Sequence, residues 1–138
     1  MQRLAIDVPV LPITPEGGVL VPPADPTVLG WYEDGARPGA AQGSAVITGH
    51  TVHTGGGALD ELDDLRAGDA VRVSTVKGTI RYRVSKVTVM SKTQLARKAQ
   101  QVFSFTVSGR LVLITCTDWN GQEYLSNTLV YADPTPAT

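Results

Sequence analysis

The 138-residue chain has a single cysteine, so no disulfide can form within it. That thiol is structural, reactive, or available to another molecule. Nothing approaches 18 consecutive apolar residues, which excludes a membrane-spanning helix. With a net charge of -1 and no cluster of Lys or Arg, the chain lacks the electrostatic footprint of a nucleic-acid binder. The start, "MQRLAIDVPV", has no basic stretch followed by an apolar one and does not read as a signal peptide. If the natural protein is exported, this chain reads as a trimmed soluble part of it. There is no internal repeat, no low-complexity domain and no metal-ligand cluster, and neither a metal nor a cofactor is expected.

With 42% hydrophobic residues, residues 1–138 are expected to form one domain that buries roughly two-thirds of its unfolded surface. Residues 133–138 read as a flexible tail. Residues 1–45 are rich in Gly and Pro ("LPITPEGG", "VPPADP", "GARPGAAQGS") and predict short extended pieces joined by turns. "SAVITGH" predicts a strand ending at Gly49-His50, and "TVHTGGGA" a flexible loop. Leu59, Leu62 and Leu65 recur at spacing three, which predicts a two-turn helix closed by Gly68 in the left-handed conformation.

"DAVRVST" and "GTIRYRVSKVTVM" predict an antiparallel pair with Lys77-Gly78 near the turn. Ile80, Tyr82 and Val84 share one parity, whereas Val87 and Val89 take the other, so a β-bulge is expected at Ser85-Lys86. Ser91 with Gln94 forms a possible capping box opening one or two helical turns in "SKTQLARKAQ". "RLVLITC" and "NTLVYAD" predict two further strands around a polar loop with Trp119, Gly121 and Tyr124. Short strands, Gly/Pro turns and brief helices favour a mostly β domain closed into a barrel of about eight strands.

Cys116 stands where an apolar, β-branched run gives way to turn-forming residues, so the sequence puts it at a strand end. A free thiol is only about 3% thiolate at pH 7, and a nucleophilic role needs a nearby base or cation. The two histidines, His50 and His53, are the candidates. His50 follows Gly49 at the end of its own apolar strand, where the missing side chain lets another group approach. A buried, inert thiol is the alternative reading.

Taken in order, "ITGH", "GGALDELDDLRAGDAVRV" and, about sixty residues later, "LVLITC" resemble the motifs of a sortase. Leu113, Thr115 and Cys116 match the motif that ends in the nucleophile. "GWY", then "PG", then "G.AVITGH" resembles the opening of the actinobacterial class E and F sortases. The resemblance covers the chain to about Ala132. It implies an eight-stranded barrel and a cysteine transpeptidase that cuts an LPxTG-like sorting signal between Thr and Gly. On that basis Cys116 attacks the threonine carbonyl, and His50 protonates the leaving amine and later deprotonates the incoming one. His53 matches no family position and reads as a solvated loop residue.

One position departs from the family. Sortases carry an arginine at the start of the last strand, and here that position is Asn127; "YLSNTLVYA" contains no arginine. An asparagine amide donates hydrogen bonds without charge. Loss of one oxyanion donor elsewhere costs on the order of 3 kcal/mol. Asn127 itself, or Arg37, Arg83 or Arg110, is a candidate substitute. Thr115, Trp119 and Tyr124 are candidate walls of a substrate groove. "LPIT" at residues 11–14 looks like the start of a sorting signal, but Pro15 replaces the glycine and the segment reads as strand and turn.

The resemblance therefore implies a sorting-signal peptide as donor, and a peptidoglycan precursor or pilin lysine as amine acceptor. It also implies a location outside the cytoplasmic membrane, through an anchor absent from this chain. A signal-binding module with little turnover and a thiol peptidase using water as acceptor are the alternatives.

Overall fold

The computed structural model describes residues 3–6, 10–13, 28–32, 36–40, 42–49, 62, 65–75, 78–102, 108–119 and 124–135. Eight strands form one sheet: β1 (Arg3–Ile6), β2 (Val10–Ile13), β3 (Leu29–Tyr32), β4 (Ser44–Thr48), β5 (Ala70–Thr75), β6 (Gly78–Ser91), β7 (Arg110–Trp119) and β8 (Tyr124–Pro134). Two short helices, α1 (Lys92–Arg97) and α2 (Ala99–Val102), follow β6. The order across the sheet is β1-β5-β6-β8-β7-β4-β3-β2.

Chain connectivity makes this sheet curl. Laid flat, β1 and β2 would stand seven inter-strand steps apart, roughly 34 Å. Yet Ile6 and Val10 are four residues apart and at most about 14 Å can separate them. The ladder senses also agree: β1 is parallel to β5 and β2 is parallel to β3. Followed around the sheet, they give β1 and β2 the same direction. Residues 3–6 therefore serve one edge, against β5, and residues 10–13 the other, against β3. The result is the curled, mostly β barrel-type architecture that the sequence predicts.

The curled sheet has two buried faces. Leu29, Ala45, Ile47, Val71, Val73, Tyr82, Val84, Leu111, Leu113, Val130 and Ala132 form the inner core, joined by Leu62 and Leu65. Val46, Met90, Val102, Val112, Ile114 and Leu129 form a second cluster on the other face, with Leu95 of α1 packed against it. Two-sided burial explains why β4 and β7 read as near-continuous apolar runs rather than alternating ones.

Local chemistry follows the sequence closely. The β6–β8 register shifts between Val84 and Lys86, the expected bulge. Ser91 and Gln94 make both bonds of the capping box. Gly68 has φ 95°, which only glycine adopts without strain. The helix expected over Leu59–Leu65 lies outside the described residues except at Leu62 and Leu65, which are both buried. Lys77 lies outside them too, while Gly78 already belongs to β6 and pairs with Thr75.

Two expectations are corrected. Asp133 and Pro134 belong to β8, and the Thr135 amide donates to the Arg81 carbonyl at 2.9 Å, so sheet pairing extends into the segment read as a tail. Strand β7 also runs past Cys116 to Trp119. The polar turn residues did not end it because β8 pairs alongside, with Trp119 opposite Tyr124.

Candidate active site

Cys116 lies within β7, its backbone in register with Asn127 of β8. Asn127 in turn pairs with Met90 of β6. One row across three strands is thus Met90, Asn127, Cys116.

On the other side, β4 runs parallel to β7 with Thr48 opposite Ile114. Two threonines fasten these strands where they reach the site. The Thr48 hydroxyl donates to the Ile114 carbonyl at 2.9 Å, and the Thr115 hydroxyl donates to the Gly49 carbonyl at 3.0 Å. The Gly49 amide donates to Ile114 at 3.4 Å. Gly49 and Thr115 are the residues that immediately precede His50 and Cys116. His50 itself lies outside the described residues, as does His53.

Thr115 is only 3% exposed with its hydroxyl engaged, so it offers almost no surface to a substrate. It fastens two strands instead of walling a groove. Sequence reasoning missed Thr48, since nothing distinguishes a strand threonine that bonds a neighbouring backbone from one that only packs. Trp119 and Tyr124 are cross-strand partners at the end of β7 and the start of β8.

The Asn127 amide nitrogen lies 3.5 Å from the Thr115 carbonyl oxygen, the carbonyl of the peptide that leads into Cys116. Asn127 is half-buried and directly beside that peptide unit. None of the three candidate arginines shares this place. Arg110 starts β7, six residues before Cys116, roughly 20 Å away along the strand. Its guanidinium is engaged there by Ser44 Oγ at 2.9 Å and by the Gln101 carbonyl at 2.6 Å, and it sits 4.9 Å over the Tyr131 ring. Arg83 pairs with Asp133, six residues along β8 from Asn127. Arg37 is in the turn leading to β4, where Ala36 donates to Ser44 at the start of that strand. All three stand at the opposite end of the strands. Of the four candidates, Asn127 is the one that lies beside the Cys116 segment of β7.

An open groove of about 330 Å³ lies between β6 and β8, lined by Arg83, Val84, Ser85, Asp133, Pro134 and Thr135. It too is remote from Cys116. Among the described residues no three His, Cys, Asp or Glu side chains group as metal ligands.

The sortase domain model matches residues 1–135, nearly the entire chain. The chain belongs to the sortase family. Similar solved structures include "Sortase C1 of GBS Pilus Island 1", at 22% identity and TM-score 0.67, covering 80% of this sortase and 52% of that chain. Sortase C-1 from Actinomyces oris matches at 28% identity and TM-score 0.63, covering 79% and 59%. Sortase C1 from Streptococcus agalactiae matches at 22% identity and TM-score 0.71, covering 95% and 62%. This sortase therefore spans about half to three-fifths of the length of those chains. No curated protein matches it.

Proposed function

We propose that this chain is a cysteine transpeptidase that cleaves an LPxTG-like signal after threonine. Cys116 Sγ attacks the threonine carbonyl, the Thr–Gly C–N bond breaks, and His50 gives a proton to the leaving amine. An incoming amine then attacks the thioester, loses its proton to His50 and releases the thiolate. One observation carries the reading. Gly49 and Thr115 are bonded neighbours on adjacent strands, so the residues that immediately precede His50 and Cys116 in the chain are held side by side. Asn127, beside the peptide leading into Cys116, is the proposed donor to substrate or oxyanion. Trp119 and Tyr124 are the proposed groove walls.

The "GWY", "PG" and "G.AVITGH" segments support placement with the class E and F sortases. The acceptor is a peptidoglycan precursor or a pilin lysine, and the domain works on the outer side of the cytoplasmic membrane.

Incubation with LPxTG and LAxTG peptides plus an amine, read by intact mass spectrometry, tests the reading. A thioacyl adduct on Cys116 and an amine-ligated product are expected. A hydrolysed product with the amine in excess would instead make water the acceptor. The uncharged Asn127 beside Cys116 favours a second reading, a module that binds signals with little turnover. Peptide binding without adduct or product would select it.

A further inference from the structure

The solvent face of the β5–β6 ribbon carries a cluster of cations that the proposed chemistry does not use. Arg72 on β5 stands directly opposite Arg81 on β6. Arg83 follows two residues on, and Lys86 continues the same face after the bulge, opposite Tyr131. All four are exposed, as are Thr79 and Ser85 around them. Asp133, paired with Arg83, is the acid across from them on β8.

Like charges facing each other across a ladder destabilise a sheet. Among the described residues, the exposed Arg81 and Arg83 side chains stand away from both apolar clusters. Among the described residues the Arg81 and Arg83 side chains make no ion pair or hydrogen bond. The chain carries a net charge of -1, so the cluster is a local concentration and not a reflection of a basic protein.

We propose that this ribbon face docks on an anionic lipid bilayer surface. Positions on a pleated sheet about 5 Å apart across the ladder and about 7 Å apart along it present their guanidinium groups to one plane together. A bilayer surface is such a plane, and its negative potential attracts each added cation. The exposed side chains of the patch are polar, so contact is electrostatic and without insertion. The groove beside Arg83 is also lined by Asp133, and its Ser85 and Thr135 hydroxyls donate to the Tyr131 and Arg81 carbonyls, so attraction of a phosphate headgroup at the edge of the patch rests on the cations. The patch lies at the far end of the strands from Cys116, so docking leaves the site clear. This inference is independent of the transpeptidase reading.

Co-sedimentation of the chain with vesicles of phosphatidylcholine, with and without phosphatidylglycerol, tests it. Binding is expected only with phosphatidylglycerol and should fall as salt screens the surface. The double variant Arg81→Gln/Arg83→Gln should weaken binding about tenfold or more. Arg81→Lys/Arg83→Lys should retain it, and Asp133→Asn should strengthen it. Thermal unfolding confirms that each variant folds, and acylation of a soluble peptide should be unchanged. Equal binding to neutral vesicles, or no loss in the folded Gln variant, would overturn the proposal. Binding to soluble polyphosphate but not to vesicles would overturn it in favour of an anionic polymer.

Discussion

Thr115 donates its hydroxyl to the carbonyl of Gly49 at 3.0 Å, across the parallel β4–β7 ladder. Each residue directly precedes a proposed catalytic one. The bond is buried, and it joins the two strands directly before the proposed catalytic residues. Thr115→Val keeps the shape and removes the donor, leaving a buried carbonyl one partner short. A loss of about 1–3 kcal/mol in denaturant unfolding is expected. Acylation should slow by more than stability accounts for. Unchanged acylation in the folded variant would show that this bond does not position the site.

Cys116→Ala should abolish the thioacyl adduct while leaving thermal unfolding nearly unchanged. His50→Ala should reduce adduct formation almost as far. Turnover retained by either folded variant would reassign the nucleophile or the acid–base group.

Asn127→Arg puts a charged donor beside the peptide that leads into Cys116, and tests whether Asn127 occupies the family's arginine position. Acylation should survive or rise, by up to about a hundredfold if the full oxyanion contribution is recovered. A folded variant with no activity would mean that the surrounding groove is fitted to the amide.

Arg110 ties three elements together, bonding Ser44 of β4 and the Gln101 carbonyl of α2 and stacking over Tyr131 of β8. Arg110→Ala should loosen α2, read as faster amide exchange over residues 99–102. Because Arg110 stands roughly 20 Å from Cys116 along β7, acylation should change little. A large kinetic effect with no change in exchange would contradict this division of roles.

Tyr82 is buried in the inner core, and its hydroxyl accepts the Gly39 amide at 2.8 Å. Burial raises its pKa above the usual 10, and the Gly39 bond only partly opposes the shift. The unfolded chain ionises first as pH rises. Stability held below pH 10 should therefore fall from there until the folded-state value is passed. Alkaline unfolding curves should show this loss, and Tyr82→Phe should flatten it while lowering stability at neutral pH through the unpaired Gly39 amide.

Much of this was legible in the sequence because it depends on near neighbours. The capping box needs only Ser91 and Gln94, and the turn at Gly68 only a missing Cβ. The bulge announced itself as a change of parity between Val84 and Val87. Alternation and composition likewise gave a mostly β domain, and the spaced motifs gave the family. The end of β7 was misjudged because "TDWNGQ" has turn propensity, and propensity yields to an available partner strand.

What only the tertiary structure decided are relations between residues far apart in the chain. No local signal says that residues 3–6 and 10–13 would take opposite edges of the sheet, since ladder partners are chosen by closure of the whole. No pattern ranks Arg37, Arg83 and Arg110, because reach depends on register, and register places all three at the end away from Cys116. Thr48 and Thr115 show the same limit. Their residue type was plain, but the carbonyls they would meet lie 66 positions away, brought within hydrogen-bond distance only by the parallel pairing of β4 with β7. The sequence by itself determined which chemical groups the chain carries and what each segment prefers. Long-range pairing, driven by burial of two apolar faces, decided which of those groups meet.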